Sequence, residues 1–284
     1  MDDRYHYALI GGSVGQLRRL GAVVAVVVLA VVTAGCGSRS SVSGPGATPQ
    51  HQAHRSTEAA SSANTTTTTT ANTNPFSVPA GTLVARTKGN IPGYEYAGNV
   101  TPSMTVPGDW YGYPSILPVI ASEPGWLEVR LAQRPNGSTT WVHESDVTLS
   151  DTPYAIVVDL ATERLYVYEN DTELMEFPVG IGAPDDPTPT GQYFMPMIYP
   201  SPGPGYGPFV LVTSDHSDTI TDWENSGDAI IGIHGPIDAS ADATIGTTGA
   251  AISHGCIRLH VADLAQLSMI PAGTPIEIVN QAVA

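Results

Sequence analysis

Positive charge is nearly absent from the last half of this chain. Residues 151–284 contain 18 Asp and Glu but only two basic residues, Arg164 and Arg258. The formal net charge of the 284 residues is -16, and the excess lies there. Residues 80–150 set six acids against Arg86, Lys88, Arg130 and Arg134, and residues 1–79 set three acids against five arginines. Such a surface repels phosphates, which excludes nucleic acid as a partner. Cysteine is scarce too, with only Cys36 and Cys256. One closes an export-like apolar segment and the other lies beyond a long polar linker, so they read as separate functional endpoints and not as a disulfide. There is no Cys-x-x-Cys pair, and a set of Cys256, His254 and His234 has no placed fourth ligand, so neither a metal nor a cofactor is expected. Phe occurs four times, against 29 Gly and 24 Pro, a balance that favours short strands and many turns.

A long hydrophobic run is also missing. Residues 20–32 are apolar but fall short of the ~20 residues of a bilayer span. After Arg18 and Arg19 they have the length of a signal-peptide core. They end in Thr33-Ala34-Gly35-Cys36, which resembles a bacterial lipobox with Thr33 where an aliphatic residue is usual. That resemblance implies lipid attachment at Cys36; the alternative for residues 1–36 is an uncleaved N-terminal anchor. Either way the remainder is expected outside the cytoplasm, in the cell envelope, held to the membrane through its N-terminus. Residues 37–79 are Ser, Thr, Ala, Pro and Gly, with threonine throughout 65–70, and read as a disordered spacer in which His51 and His54 are incidental.

Residues 80–150 show short alternating segments at 82–86, 126–131 and 140–143, with turns at 124–125 and 135–137. Three of the four tryptophans, Trp110, Trp126 and Trp141, lie here. The region resembles a small SH3-like β-barrel, with tryptophan spent on its core. From residue 153 the strands lengthen. A hairpin is predicted over 154–160 and 164–169, then strands at 174–179, 194–198, 209–213 and 229–233. Residues 187–191 form a rigid turn-rich loop, and 199–208 make an excursion with the length of a substrate cover. Helical spacing covers 261–269, a closing strand 275–279, and a tail 280–284. The fold class is mainly β with one or two short helices.

The chemistry concentrates in Ser253-His254-Gly255-Cys256-Ile257, with a second histidine at His234. A thiol nucleophile needs a proton acceptor and donors for an oxyanion. Gly255 before the cysteine permits a sharp turn and leaves nearby amides unshielded. His234 ends an apolar strand, where it reaches into a cleft, and is the better base. His254 is read as shaping the loop through its own hydrogen bonds. Arg258 has two readings, recognition of a substrate carboxylate or a structural ion pair.

His234-Gly235 followed by Ser253-His254-Gly255-Cys256-Ile257-Arg258-Leu259 resembles the signature of the L,D-transpeptidase catalytic-domain family. The loop at 187–191, the opening strands from Tyr154 and the closing Gly273-Thr274-Pro275 are similar too, so the likeness covers about residues 153–279. The region at 80–150 resembles the SH3-like domain ahead of some actinobacterial members. The resemblance implies a β-sandwich-like domain in which Cys256 attacks a peptidoglycan tetrapeptide stem and forms a thioester. His234 would move the proton, the Gly235 carbonyl would orient the imidazole, the Gly255 backbone would face the oxyanion, and Ser253, His254 and Arg258 would bind substrate or shape the site. An amine on a neighbouring stem would complete a 3→3 crosslink, and carbapenems would acylate the cysteine. Two alternatives stay open, an L,D-carboxypeptidase that releases the acyl group to water and a catalytically silent wall-binding protein.

Overall fold

The computed structural model describes Phe76, residues 78–223 and residues 225–281. The export segment 1–36 with Cys36, and the spacer 37–79 up to residue 75, with His51 and His54, lie outside the described residues; at the end of that spacer Phe76 is buried. Among the described residues no helix is long and apolar enough to cross a membrane.

The first sheet is antiparallel, in the order Thr139–His143, Trp126–Arg130, Ile116–Glu123, Thr82–Thr87, Val147–Thr152. Three strands form a meander, and after a 3-10 turn at Glu144–Asp146 the last strand returns beside the first. Its core is aliphatic, with Ala85, Leu117, Leu127, Val129, Val142 and Val147 buried together. The expected tryptophan core is absent. In Trp126–Arg130 the alternation sends Leu127 and Val129 inward, so Trp126 falls on the other face, against His143 at 3.9 Å between ring centroids. Ile116–Glu123, outside the segments expected at 82–86, 126–131 and 140–143, is also a strand, although Pro118 cannot donate to a ladder. It is tolerated opposite Val84, with a register shift following between Val119 and Ala121.

The second sheet runs Thr172–Pro178, Arg164–Glu169, Tyr154–Asp159, Pro275–Val279, Gly191–Phe194. The hairpin of Tyr154–Asp159 with Arg164–Glu169 pairs in register from Tyr154↔Glu169 to Asp159↔Arg164. Both faces of Tyr154–Asp159 are covered: Ile156 and Val158 join the main core, and Ala155 and Val157 pack with Phe76 and Tyr168. This explains its unbroken apolar sequence. The third sheet is Met197–Pro200, Phe209–His216, Ile230–His234, Ile257–Arg258, with the last pair parallel. Leu211, Ile233 and Ile257 from this sheet meet Ile156, Val158, Leu165 and Val167 from the second, and Leu264 of the helix Val261–Gln266 seals one end. The two sheets thus form a sandwich with one apolar core.

The single strand expected at 194–198 is two strands in different sheets. Pro196 has no N–H to extend a ladder, the Met195 amide donates to the Thr274 carbonyl at 2.9 Å, and Phe194 enters the core of the first sheet. A helix at Ala239–Thr244, not expected from its small polar residues, is capped by Asp238. Its carboxylate accepts from the Ser240 and Ala241 amides at 2.9 and 2.8 Å.

Candidate active site

Parallel pairing of Ile230–His234 with Ile257–Arg258 brings the two halves of the motif together. Ile233 lies beside Ile257 and His234 beside Arg258, and the Leu259 amide donates to the His234 carbonyl at 2.9 Å. Gly232 and His234 are two apart on one strand, so they address the same face. The Gly232 backbone N–H is close enough to the Cys256 sulfur to favour its thiolate. The thiol, one residue before Ile257–Arg258, thus lies beside the strand that carries the imidazole.

His234 is only 3% exposed, and its Nδ1 lies 2.7 Å from the Gly235 carbonyl oxygen. A carbonyl only accepts, so Nδ1 carries the proton and Nε2 is left as a lone pair. The Tyr206 ring packs against the imidazole at 4.8 Å. Gly235 is required there, because a Cβ would fall 2.8 Å from the Gly207 nitrogen and from the Tyr206 carbonyl carbon. Burial holds the imidazole down at about 3, with the nearby Arg258 charge acting the same way. Burial also pushes the Cys256 thiol up, as does Asp215, against the Gly232 amide and Arg258, which favour the thiolate. At neutral pH the resting pair is a neutral imidazole and a thiol. Proton transfer then has to accompany attack instead of preceding it.

The cysteine loop is tied from within and from below. Ser253 Oγ donates to the Cys256 carbonyl at 2.5 Å and accepts from the Gly255 amide at 3.2 Å. That amide is thereby bonded within the loop. Gly255 has φ +109°, and a Cβ there would lie 2.7 Å from Ile231 Cδ1. Below it, Thr188 Oγ1 donates to the Gly255 carbonyl at 2.7 Å and accepts from the Gly182 amide at 2.9 Å. The short parallel pairing of Ile181–Gly182 with Ala251–Ser253 runs alongside.

His254 points outward. Its side chain is 62% exposed, 3.9 Å from the Asp186 carboxylate and tilted against the Trp223 ring at 5.2 Å between centroids. The hydrogen bonds that shape the loop belong to Ser253. Arg258 is half-buried. Its backbone pairs both ways with Gly180 at 2.8 Å, its Nε is buried without a hydrogen bond, and among the described residues no ion pair holds its guanidinium. Burial lowers its pKa, offset by the charges of Cys256, Tyr206 and Asp238. Asp215 is fully buried; desolvation raises its carboxyl to about 8, so it is largely protonated at neutral pH. Asp215, Thr188, the Gly232 amide and Trp223 are site elements that the motif reading missed. Only Thr188 had a sequence signal, inside the turn-rich loop at 187–191. A groove of about 430 Å³ opens beside Pro236, lined also by Gly205, Asp238, Asp242 and His260.

Known proteins resemble this part of the chain. Residues 153–278 match the profile of the YkuD family, the L,D-transpeptidase catalytic domain. The YkuD protein of Bacillus licheniformis is 32% identical over 127 residues, 44% of this chain and 66% of the relative. The YkuD protein of Bacillus subtilis is 28% identical over the same shares. The chain thus spans 66% of the length of these curated relatives, just under two thirds. Among solved structures, an L,D-transpeptidase from Mycobacterium smegmatis is 17% identical, with 60% of this chain and 92% of that one covered and a TM-score of 0.35. The segment 153–278, which holds His234 and Cys256, is the part of this chain that matches the L,D-transpeptidase catalytic domain.

Proposed function

We propose that the chain is an exported peptidoglycan L,D-transpeptidase that works through a Cys256 thioester and forms 3→3 crosslinks. The observation that carries this reading is the His234 Nδ1 to Gly235 carbonyl contact at 2.7 Å, which leaves Nε2 as an acceptor on the strand that pairs beside the Cys256 loop. In this scheme the Cys256 sulfur attacks the carbonyl between the third and fourth residues of a tetrapeptide stem as Nε2 takes its proton. The C–N bond breaks, the imidazolium proton goes to the departing amine, and the D-amino acid leaves. The acceptor amine then attacks the thioester, His234 takes its proton, and the thiol is restored.

Arg258 supports recognition of a donor carboxylate, since its guanidinium lies beside Cys256 without an ion pair among the described residues. A carbapenem would acylate the same thiol. Attachment to the outer face of the membrane through residues 1–36 belongs to the same proposal. Product analysis with a tetrapeptide donor, with and without a diamino-acid acceptor, tests it. Crosslinked dimer is expected as the main product when acceptor is present. Tripeptide alone under both conditions would identify a carboxypeptidase, and unchanged donor would remove the enzyme reading.

A further inference from the structure

The loop at 131–138, between two strands of the first sheet, reaches the third sheet with two side chains. Arg134 uses its whole guanidinium there. Nε donates to Asp228 Oδ1 at 2.7 Å, Nη1 to the Ser217 carbonyl at 2.9 Å and Nη2 to the Ile220 carbonyl at 3.0 Å. Asn136 pairs with His216 as a strand would: Nδ2 donates to the His216 carbonyl at 2.7 Å, and Oδ1 accepts from the His216 amide at 2.9 Å. Its Nδ2 also lies 3.1 Å from Asp215 Oδ1. Asp228 answers Arg134 from one side and buried His216, 2.9 Å away, from the other.

These contacts fix where residues 217–223 leave the sheet, and that segment forms a wall of the cysteine loop. The Trp223 ring packs at a tilt against His254. Thr219 Oγ1 donates to Asp186 Oδ1 at 3.0 Å, and the other Asp186 oxygen lies 3.9 Å from His254. Asp186 belongs to the loop in which Thr188 holds the Gly255 carbonyl. A set of polar and ring contacts therefore runs from the first sheet to the residues flanking Cys256, with its last steps to His254 at 3.9 and 5.2 Å.

We propose that Arg134 and Asn136 are positioning residues for the Cys256 loop, so that the first sheet sets the geometry of the thiol site by clamping residues 217–223. A rigid planar fork that spans two carbonyls and a carboxylate suits this task, and lysine cannot reproduce it. The contacts supply a route, and coupling is what a measurement has to establish.

The test uses the full chain and two readouts. In Arg134→Ala, amide hydrogen exchange is expected to quicken in 217–223 and, with it, in 253–257, by about ten-fold, with the 154–169 hairpin unchanged. Acylation of Cys256 by a carbapenem, a readout that rests on the proposed function, should slow about ten-fold while alkylation by iodoacetamide stays within about two-fold. Arg134→Lys should recover only part of this, and Arg134→Ala in a Trp223→Ala background should add little. Faster exchange confined to 217–223, uniform loosening of the whole domain, or fully additive effects of Arg134→Ala and Trp223→Ala would each overturn the proposal. Should Arg134→Ala not fold, Arg134→Lys carries the same expectations at smaller amplitude. If the wild type takes no carbapenem, the functional reading fails while the exchange data still decide the positioning role.

Discussion

Replacing Thr188 by valine removes one hydroxyl and keeps the side chain's shape. That hydroxyl is buried and bridges two backbone groups, donating to the Gly255 carbonyl at 2.7 Å and accepting from the Gly182 amide at 2.9 Å. Valine leaves a carbonyl and an N–H buried without partners. Each such group costs ~1–3 kcal/mol, so a loss of about 2–4 kcal/mol is expected after partial relaxation. With an m-value of ~2 kcal/mol/M, the urea midpoint should fall by roughly 1–2 M at constant slope. Thr188→Ser keeps the hydroxyl and should lose far less. Because one partner adjoins the nucleophile, amide exchange at Gly255 and Cys256 should quicken before global unfolding. A Thr188→Val protein with the wild-type midpoint, or a serine variant as weak as the valine one, would refute the reasoning.

Other expectations follow from charge. Burial and Asp215 raise the Cys256 thiol while His234 stays neutral down to about pH 3. Iodoacetamide alkylation should therefore rise with pH in one step, with a midpoint above the ~8.5 of free cysteine and no acid step near ~6.5; a thiolate already formed at pH 6 would contradict this. Asp215 binds its proton up to about pH 8 when folded but only to ~3.9 when unfolded. The native state therefore holds more protons between those values, and stability falls as pH rises through them. Asp215→Asn removes that slope, so urea midpoints at pH 5 and pH 8 should show the variant's advantage growing with pH. His234 has the opposite sign: its folded value near 3 means stability is lost as pH falls from ~6.5 towards it. The acidic surface bears on specificity. Stems with amidated carboxylates should turn over better than unamidated ones, and equal or faster turnover of the unamidated stem at low salt would count against the field argument.

Some of this architecture can be read directly from the residues. The 154–169 hairpin announces itself as two strand-like segments, 154–160 and 164–169, around Ala161-Thr162-Glu163. Cys256 and His234 stand out because a Ser-His-Gly-Cys run has no packing rationale. What escaped the sequence is what depends on distant partners. The break at Pro196 looks like one strand until Phe194 is seen entering another core. Tryptophan placement follows strand phase, which composition does not carry. Thr188 meets Gly255 across 67 residues, and Asn136 meets His216 across 80. Which of the adjacent Ser253 and His254 faces inward is set by the loop's tertiary contacts, and the hydrogen bonds within the loop are Ser253's.

The central claim is that Cys256 is the group that becomes acylated. Intact-protein mass after incubation with a carbapenem measures this directly. The account predicts a single adduct on the wild type, mapped to the Cys256 peptide and absent from Cys256→Ala. A wild type without an adduct, or an adduct that persists in Cys256→Ala, would contradict it.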